Sequence, residues 1–285
     1  MLQLKPEEYQ NVMPLLSQVP YNTVLARAVL NGEASGVVFA DQSAQPSVCY
    51  ILHQYGMSFL IGDITNDAFR TDLLKYILNT ENQRRQEEWL QVYPDRWNGY
   101  LRDLLGTRLV EYMPNPNEDA TEYWKNIAEH KIVQWTRLNF KFNNASFSAL
   151  NLELPAGFTV TKIGAGVGDI KGAVVPGKFY NSFQEFIDKG VGYGVFADDQ
   201  IVSAAFSSGL TATQLEIGIE TAAEYRGKGL AVYACAALIQ YCLENGLEPV
   251  WSCRKENVSS LKLALRLGFE ISMCMPYYSI PVSLT

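Results

Sequence analysis

Apolar and polar positions along this chain fall into short runs of two kinds, a period of two that marks strands and a period near 3.6 that marks helices. Between residues 35 and 65, the runs GVVFAD, SVCYILHQ and MSFLIGDI are separated by Gly, Asp and Pro and read as three strands. Upstream, residues 6–18 read as a helix with Pro6 in its first turn and Pro14 kinking or ending it. Residues 71–78 have helical spacing and residues 88–92 read as a strand. Residues 94–105 read as a helix with Pro94 at its first position. Residues 113–122 are loop-like, and residues 135–142 (WTRLNFKF) alternate as a closing strand would.

A boundary is expected at residues 143–155, where Asn143-Asn144-Ala145-Ser146 is turn-like. Beyond it comes a short strand at residues 159–163, then the glycine-rich run 164–169, read as a loop because Asp169 fills the place of a third glycine and no amphipathic helix opens there. Ser182-Phe183-Gln184-Glu185 is a capping box that starts a short helix ending at Lys189-Gly190. Residues 193–197 and 201–207 flank Asp198-Asp199-Gln200 as a hairpin, and a turn at 209–212 leads into a strand at Leu215. The run AVYACAALIQYCL is a buried helix stopped by Asn245-Gly246. A short strand (PVWSC), a helix capped by Asn257 and closed by Gly268, and strands at 269–275 and 277–282 complete the chain. The order after residue 154 is β, short α, β, β, β, α, β, α, β.

Composition changes the picture mainly by exclusion. With 48% hydrophobic and 19% charged residues, a chain of 285 residues builds proper cores in one large domain or two ordinary ones. The net charge of −7 is spread over both halves. With no basic patch or tail, neither nucleic acid nor an anionic membrane is an expected partner, and a cationic amine is tolerated. Five cysteines without CxxC spacing argue against disulfides and zinc, and Cys235 and Cys242 read as core. His53 and His130 lie near no ligand set, so no metal is expected. The acidic start MLQLKPEEYQ and the lack of a long apolar run lead us to expect a cytoplasmic protein.

The chemistry concentrates in residues 215–231, LEIGIETAAEYRGKGLA. A strand (Leu215, Ile217 and Ile219 alternating with Glu216, Gly218 and Glu220) runs through a glycine-bearing turn into the apolar helix. That order makes an anion cradle, because the first N–H groups of a helix are unpaired and its dipole is positive there. A P-loop would need GxxxxGK followed by Ser or Thr, and a dinucleotide fingerprint would need glycine at Val232. The pattern R/Q-x-x-G-x-G/A is met by Arg226, Gly229 and Ala231.

That loop resembles the acyl-CoA pyrophosphate loop of the GNAT superfamily of N-acetyltransferases. The element order and the spacing from Asn257 to Phe269 resemble the GNAT fold over about the last 130 residues. EIGIET, YRGKGLA and PVWSC followed by N-x-x-S-x-x-x-A resemble the zwittermicin A resistance acetyltransferases, in which the preceding half is a second, degenerate GNAT-like unit. The resemblance implies a mixed α+β chain: residues 1–145 a degenerate GNAT-like unit without the loop pattern, and residues 146–285 the catalytic domain, complete in its cofactor site.

The same resemblance implies acetyl-CoA as co-substrate and a small-molecule primary amine as acceptor. It implies that backbone groups of Ile219, Glu220 and Thr221 hold pantetheine, and that the N–H groups of Arg226, Gly227, Lys228, Gly229, Leu230 and Ala231 take the pyrophosphate. The Ile219 N–H would polarise the thioester carbonyl. Room for the cofactor would come from a splay between the Leu215 strand and PVWSC, of the kind a bulge often sets. Asn257 and Ser260 would touch the pantetheine arm, besides capping their helix. Arg226 and Lys228 are otherwise solvated surface charges.

Glu216 is the candidate general base, with Gly218 leaving room for substrate; otherwise it is a solvent-facing strand residue or a binder of the amine. Many members of the superfamily carry a tyrosine where this chain has Ala264. Ser260, Tyr277, Tyr278 or water would then protonate the thiolate. Cys253 has no base in view, which favours direct attack in a ternary complex. A non-catalytic acyl-CoA-binding module and a peptide N-terminal acetyltransferase are the competing expectations.

Overall fold

The computed structural model describes residues 1–113, 127–148, 150–165 and 171–284. Most of the loop expected at 113–122 and much of that at 164–169 lie outside the described residues. The first half runs β1 (Leu2–Gln3), a 3-10 turn (Pro6–Val12), α1 (Met13–Leu16), α2 (Val24–Leu30), β2 (Gly36–Ala40), β3 (Val48–His53) and β4 (Met57–Gly62). It continues with α3 (Asp67–Ile77), β5 (Glu88–Tyr93), α4 (Arg96–Leu105), β6 (Leu109–Glu111) and β7 (Ile132–Phe142). The second half runs α5 (Asn144–Ser148), β8 (Phe158–Lys162), α6 (Phe183–Lys189), β9 (Gly192–Ala197), β10 (Gln200–Leu210) and β11 (Gln214–Thr221). It ends with α7 (Ala231–Glu244), β12 (Glu248–Val250), β13 (Ser252–Arg254), α8 (Val258–Arg266) and β14 (Phe269–Ile280).

Two mixed sheets result. One has the order β1-β2-β3-β4-β5-β14-β7-β13, with β6 also beside β7; the other is β12-β11-β10-β9-β8. The halves exchange their long strands. β14, from the end of the chain, lies between β5 and β7, while β7, from the first half, lies between β14 and β13. The cores follow the exchange. Leu138 and Phe140 of β7 pack with α7 and Trp251 in the second half. Tyr278 and Ile280 of β14 pack with α3 and α4 in the first. A third core, between the sheets, joins Val29 of α2 and Phe59 of β4 to Phe179 and Phe206. Arg84 fastens the junction, its buried guanidinium donating to the carbonyls of Tyr76, Ile77, Ile280 and Pro281.

Several boundaries differ from the sequence reading. The helix expected from Pro94 begins at Arg96. The two final strands are one, Phe269–Ile280, running through Pro276. Among the described residues, the only paired neighbour at Pro276 is β7, opposite Thr136, because β5 joins at Tyr278; the missing N–H therefore breaks no two-sided ladder. Gly209 and Leu210 stay in β10, so the turn begins at Thr211. The sequence reading passed over α2 altogether. Six of its seven residues are buried, so it lacks the polar stripe by which a short helix is recognised.

Candidate active site

The site starts where two parallel strands part. β11 pairs with β12 at Gln214↔Glu248, Leu215↔Pro249 and Glu216↔Val250, and no further. At Trp251 the chain leaves the smaller sheet, and β13 pairs instead with β7 in the larger one. Trp251 is buried at this point, with its indole N–H donated to Ser260 Oγ at 3.1 Å. Beyond Glu216, β11 keeps its ladder to β10 on one edge only. The bulge there lies in β10, at Ser207/Gly209 opposite Ile217 and Glu216. A cavity of ≈ 920 Å³ opens between the parted strands and reaches into the first half.

At the far end of β11, the loop from Arg226 to Ala231 has the form of an anion cradle. Gly227 and Gly229 have φ of +76° and +75°, where a side chain is strained. A Cβ on Gly227 would meet nothing within 4 Å, so the glycines serve conformation rather than packing. Among the described residues, no backbone acceptor receives the N–H groups of Gly227, Lys228, Gly229, Leu230 or Ala231. Helix α7 has neither a side-chain cap nor an acidic residue in its first turn. Five consecutive free donors at a positive helix end suit a pyrophosphate.

Charged side chains brace this loop. Arg226 donates to the Thr221 carbonyl and to Glu220 Oε1, both at 3.0 Å. Glu220 Oε2 also accepts from the N–H groups of Ala173 and Val174, pinning the segment over β11. Lys228 lies over the Tyr225 ring at 4.5 Å. Thr221 is engaged at every polar atom: its N–H by Glu220, its carbonyl by Arg226 and its hydroxyl by Ser203. Ile219 lines the cavity, half-buried.

Glu216 sits where the strands part, buried rather than solvent-facing. Its Oε1 accepts from Ser252 Oγ at 2.9 Å and lies 3.7 Å from Arg137 Nη2. Ser252 in turn accepts from Arg137 Nη2 at 2.5 Å and from Asn22 Nδ2 at 3.1 Å. One hydroxyl thus takes two donors and passes its own hydrogen to the carboxylate. Glu216 Oε2 is enclosed and has no partner among the described residues. Gly218 does leave space, but the Phe206 ring on the neighbouring strand fills it: a Cβ there would lie 2.6 Å from that ring.

The expected proton donors fall in different places. Tyr277 lines the cavity; burial raises its phenol, and the hydroxyl reaches Met57 Sδ at 3.4 Å. Tyr278, its neighbour in β14, points to the opposite face and donates to Asn98. Ser260 lines the cavity beside Asn257, whose side chain accepts from the Ser260 N–H as helix cap. Ala264 is wholly buried. Burial raises the Cys253 thiol, with Ser260 and Arg137 opposing.

The sequence reading missed Arg137, Ser252 and Asn22. Of these only Arg137 gives a signal: it is a charge in the middle of the alternating run WTRLNFKF. It also missed the aromatic wall that the first half contributes, Tyr55, Trp89, Tyr112 and Trp135. Among the described residues no cluster of His, Cys, Asp and Glu suits a metal ion, and no helix is long and apolar enough to cross a membrane.

Comparison with known proteins bears on the family and the fold. An uncharacterized N-acetyltransferase of Bacillus subtilis, YdfB, is 26% identical over 283 residues, covering 97% of this chain and 98% of its own. A GCN5-related N-acetyltransferase-like protein of Streptococcus suis has the same fold, with TM-score 0.66 and 23% identity over 95% of this chain and 98% of its own. A tandem GNAT protein from the clavulanic acid biosynthesis pathway superposes over all of this chain and 98% of its own, with TM-score 0.59 and 11% identity. The GNAT acetyltransferase family itself matches residues 13–278. The chain belongs to that family of N-acetyltransferases, which are acyltransferases.

Proposed function

We propose that this protein transfers an acetyl group from acetyl-CoA to the primary amine of a small molecule, by direct attack in a ternary complex. The observation that carries the reading is the run of five free N–H groups leading to an unpaired strand edge and a cavity holding a buried carboxylate. Acetyl-CoA supplies an acyl group activated as a thioester. Arg226, Gly227, Lys228, Gly229, Leu230 and Ala231 hold the pyrophosphate, with Arg226 kept in place by Glu220. Backbone groups of Ile219 and Glu220, with Asn257 and Ser260 across the gap, hold the pantetheine arm. The Ile219 N–H serves the carbonyl oxygen.

Glu216 takes the proton from the acceptor amine. Ser252 and Arg137 fix its Oε1, which leaves Oε2 for that role. Tyr277, kept protonated by burial, and Ser260 are the proton sources for the thiolate. The raised Cys253 thiol makes an acyl-cysteine route a poor competitor. We assign the cofactor side to residues 146–285 and read residues 1–145 as a GNAT-like half that closes the acceptor side. The resemblance to the zwittermicin A resistance enzymes supports a small aminated molecule over a peptide. A cytoplasmic location suits five free thiols.

Thiol release from acetyl-CoA, measured against amines, aminopolyols, amino acids and peptides, tests the reading. Glu216→Gln keeps the shape and removes the base. It should lower kcat on the order of 100- to 10,000-fold and flatten the acidic limb of the pH–rate profile. Near-normal kcat with an unchanged acidic limb would remove Glu216 as base. CoA binding without thiol release for any acceptor would instead favour a non-catalytic acyl-CoA-binding module.

A further inference from the structure

The ion pair at the centre of the cavity is only half used. Arg137 and Glu216 are each more than nine-tenths buried and both line the cavity. Ser252 engages one edge of each. The other edges are idle: Glu216 Oε2 and Arg137 Nε are enclosed and without partners among the described residues. Leaving a buried carboxylate oxygen and a buried guanidinium N–H unpaired side by side is costly. A simple amine would complete Glu216 and leave Arg137 unanswered. A polyamine would set a second cation against it. A ligand with an ammonium and a carboxylate on one carbon completes both without separating the pair.

The walls say what else that ligand carries. Tyr55 is stacked on Phe179 at 4.2 Å and packed against Trp89 at 5.1 Å, and Tyr112 is stacked on Trp135 at 5.0 Å. These rings hold one another, so the wall exists before a ligand arrives, and it favours a flat apolar group. Resting on the reading of this cavity as the acceptor side of an acetyl transfer, we propose that the acceptor is an aromatic α-amino acid. Its ammonium meets Glu216, its carboxylate meets Arg137, and its ring meets the wall built by the first half of the chain.

The test is calorimetry on the full chain saturated with CoA, titrated with L-tryptophan, L-phenylalanine, tryptamine, L-tryptophanamide and spermidine. Thiol release from acetyl-CoA is followed with the same five compounds. The amino acids should bind about 10- to 100-fold more tightly than tryptamine or the amide, the loss expected when a charged hydrogen bond goes. Arg137→Met should bring L-tryptophan down to the level of tryptamine. If that variant does not fold, the ligand series alone still decides, since the carboxylate is removed from the ligand instead. Tryptamine or spermidine binding as tightly as the amino acids would overturn the proposal, as would no binding of either amino acid. Amino-acid binding without thiol release would uphold this site and defeat acetyl transfer. Release with tryptamine and spermidine alone would do the reverse.

Discussion

In the first half, β4 runs beside β5 through five pairs, from Met57↔Trp89 to Ile61↔Tyr93, and the following helix is capped by its own Asn66. In the second half, β11 leaves β12 after three pairs, and the following helix has no cap of its own. The same strand, turn and helix are thus closed in one place and open in the other. Asn66 accepts from the Phe69 N–H, Asp67 puts a negative charge on the first turn, and Trp97 donates its indole N–H to the Gly62 carbonyl. There the parallel ladder runs on and a side chain caps the helix. At Gly227 and Gly229 the backbone takes a conformation that leaves its donors without acceptors among the described residues, and the strands part at Trp251. The candidate site is thus the place where the loop N–H groups have no acceptor among the described residues and the strands part.

The largest effect is expected from separating the halves. A fragment of residues 146–285 lacks β7, which pairs with β13 on one side and β14 on the other. It should show no cooperative melting by circular dichroism, and adding residues 1–145 should restore it. A fragment that melts sharply alone and binds CoA would mean that the strand exchange is dispensable.

Next comes the open helix end. Gly229→Glu forces a side chain onto a φ of +75° and brings a carboxylate to donors meant for an anion. Calorimetry should register no acetyl-CoA binding by the folded variant; ordinary affinity would mean that the loop is not the cradle.

Acid should loosen the first half in particular, because the buried His53 lies there. His53 is almost wholly buried, and desolvation lowers it to about 4. The folded protein therefore holds it neutral, while the unfolded chain takes up a proton below its ordinary value of 6.5. The stability contributed is complete above pH 6.5 and is lost as pH falls towards 4. The full loss is about 3 kcal/mol, at roughly 1.36 kcal/mol per unit. Urea midpoints for wild type and His53→Gln between pH 7 and 4.5 should diverge in slope; parallel slopes would acquit His53.

The smallest effect sharpens the contrast. Asn66→Ala removes the cap of the closed helix and should cost about 1 kcal/mol of stability. Acetyl-CoA affinity should not move. A weaker affinity would mean that the first half communicates with the loop.

The sequence by itself determined what is local. Alternation gave β11, the apolar run gave α7, Ser182 and Asn257 marked helix starts through caps that the structure contains, and Arg226, Gly229 and Ala231 marked the loop. Each of these rests on neighbours within one or two turns of chain, where a residue's conformational preference acts directly. The tertiary structure alone decided the rest. That β14 is one strand through Pro276 follows from which neighbour it has at that residue. That Gly218 makes room for Phe206 follows from their meeting across the β10–β11 ladder. Arg137, Ser252, Asn22 and Glu216 are brought together from four separated stretches, two in each half, by a strand exchange that no local pattern records. Burying a charge is tolerated only where its partners are assembled, and that assembly belongs to the fold, not to any segment of the sequence.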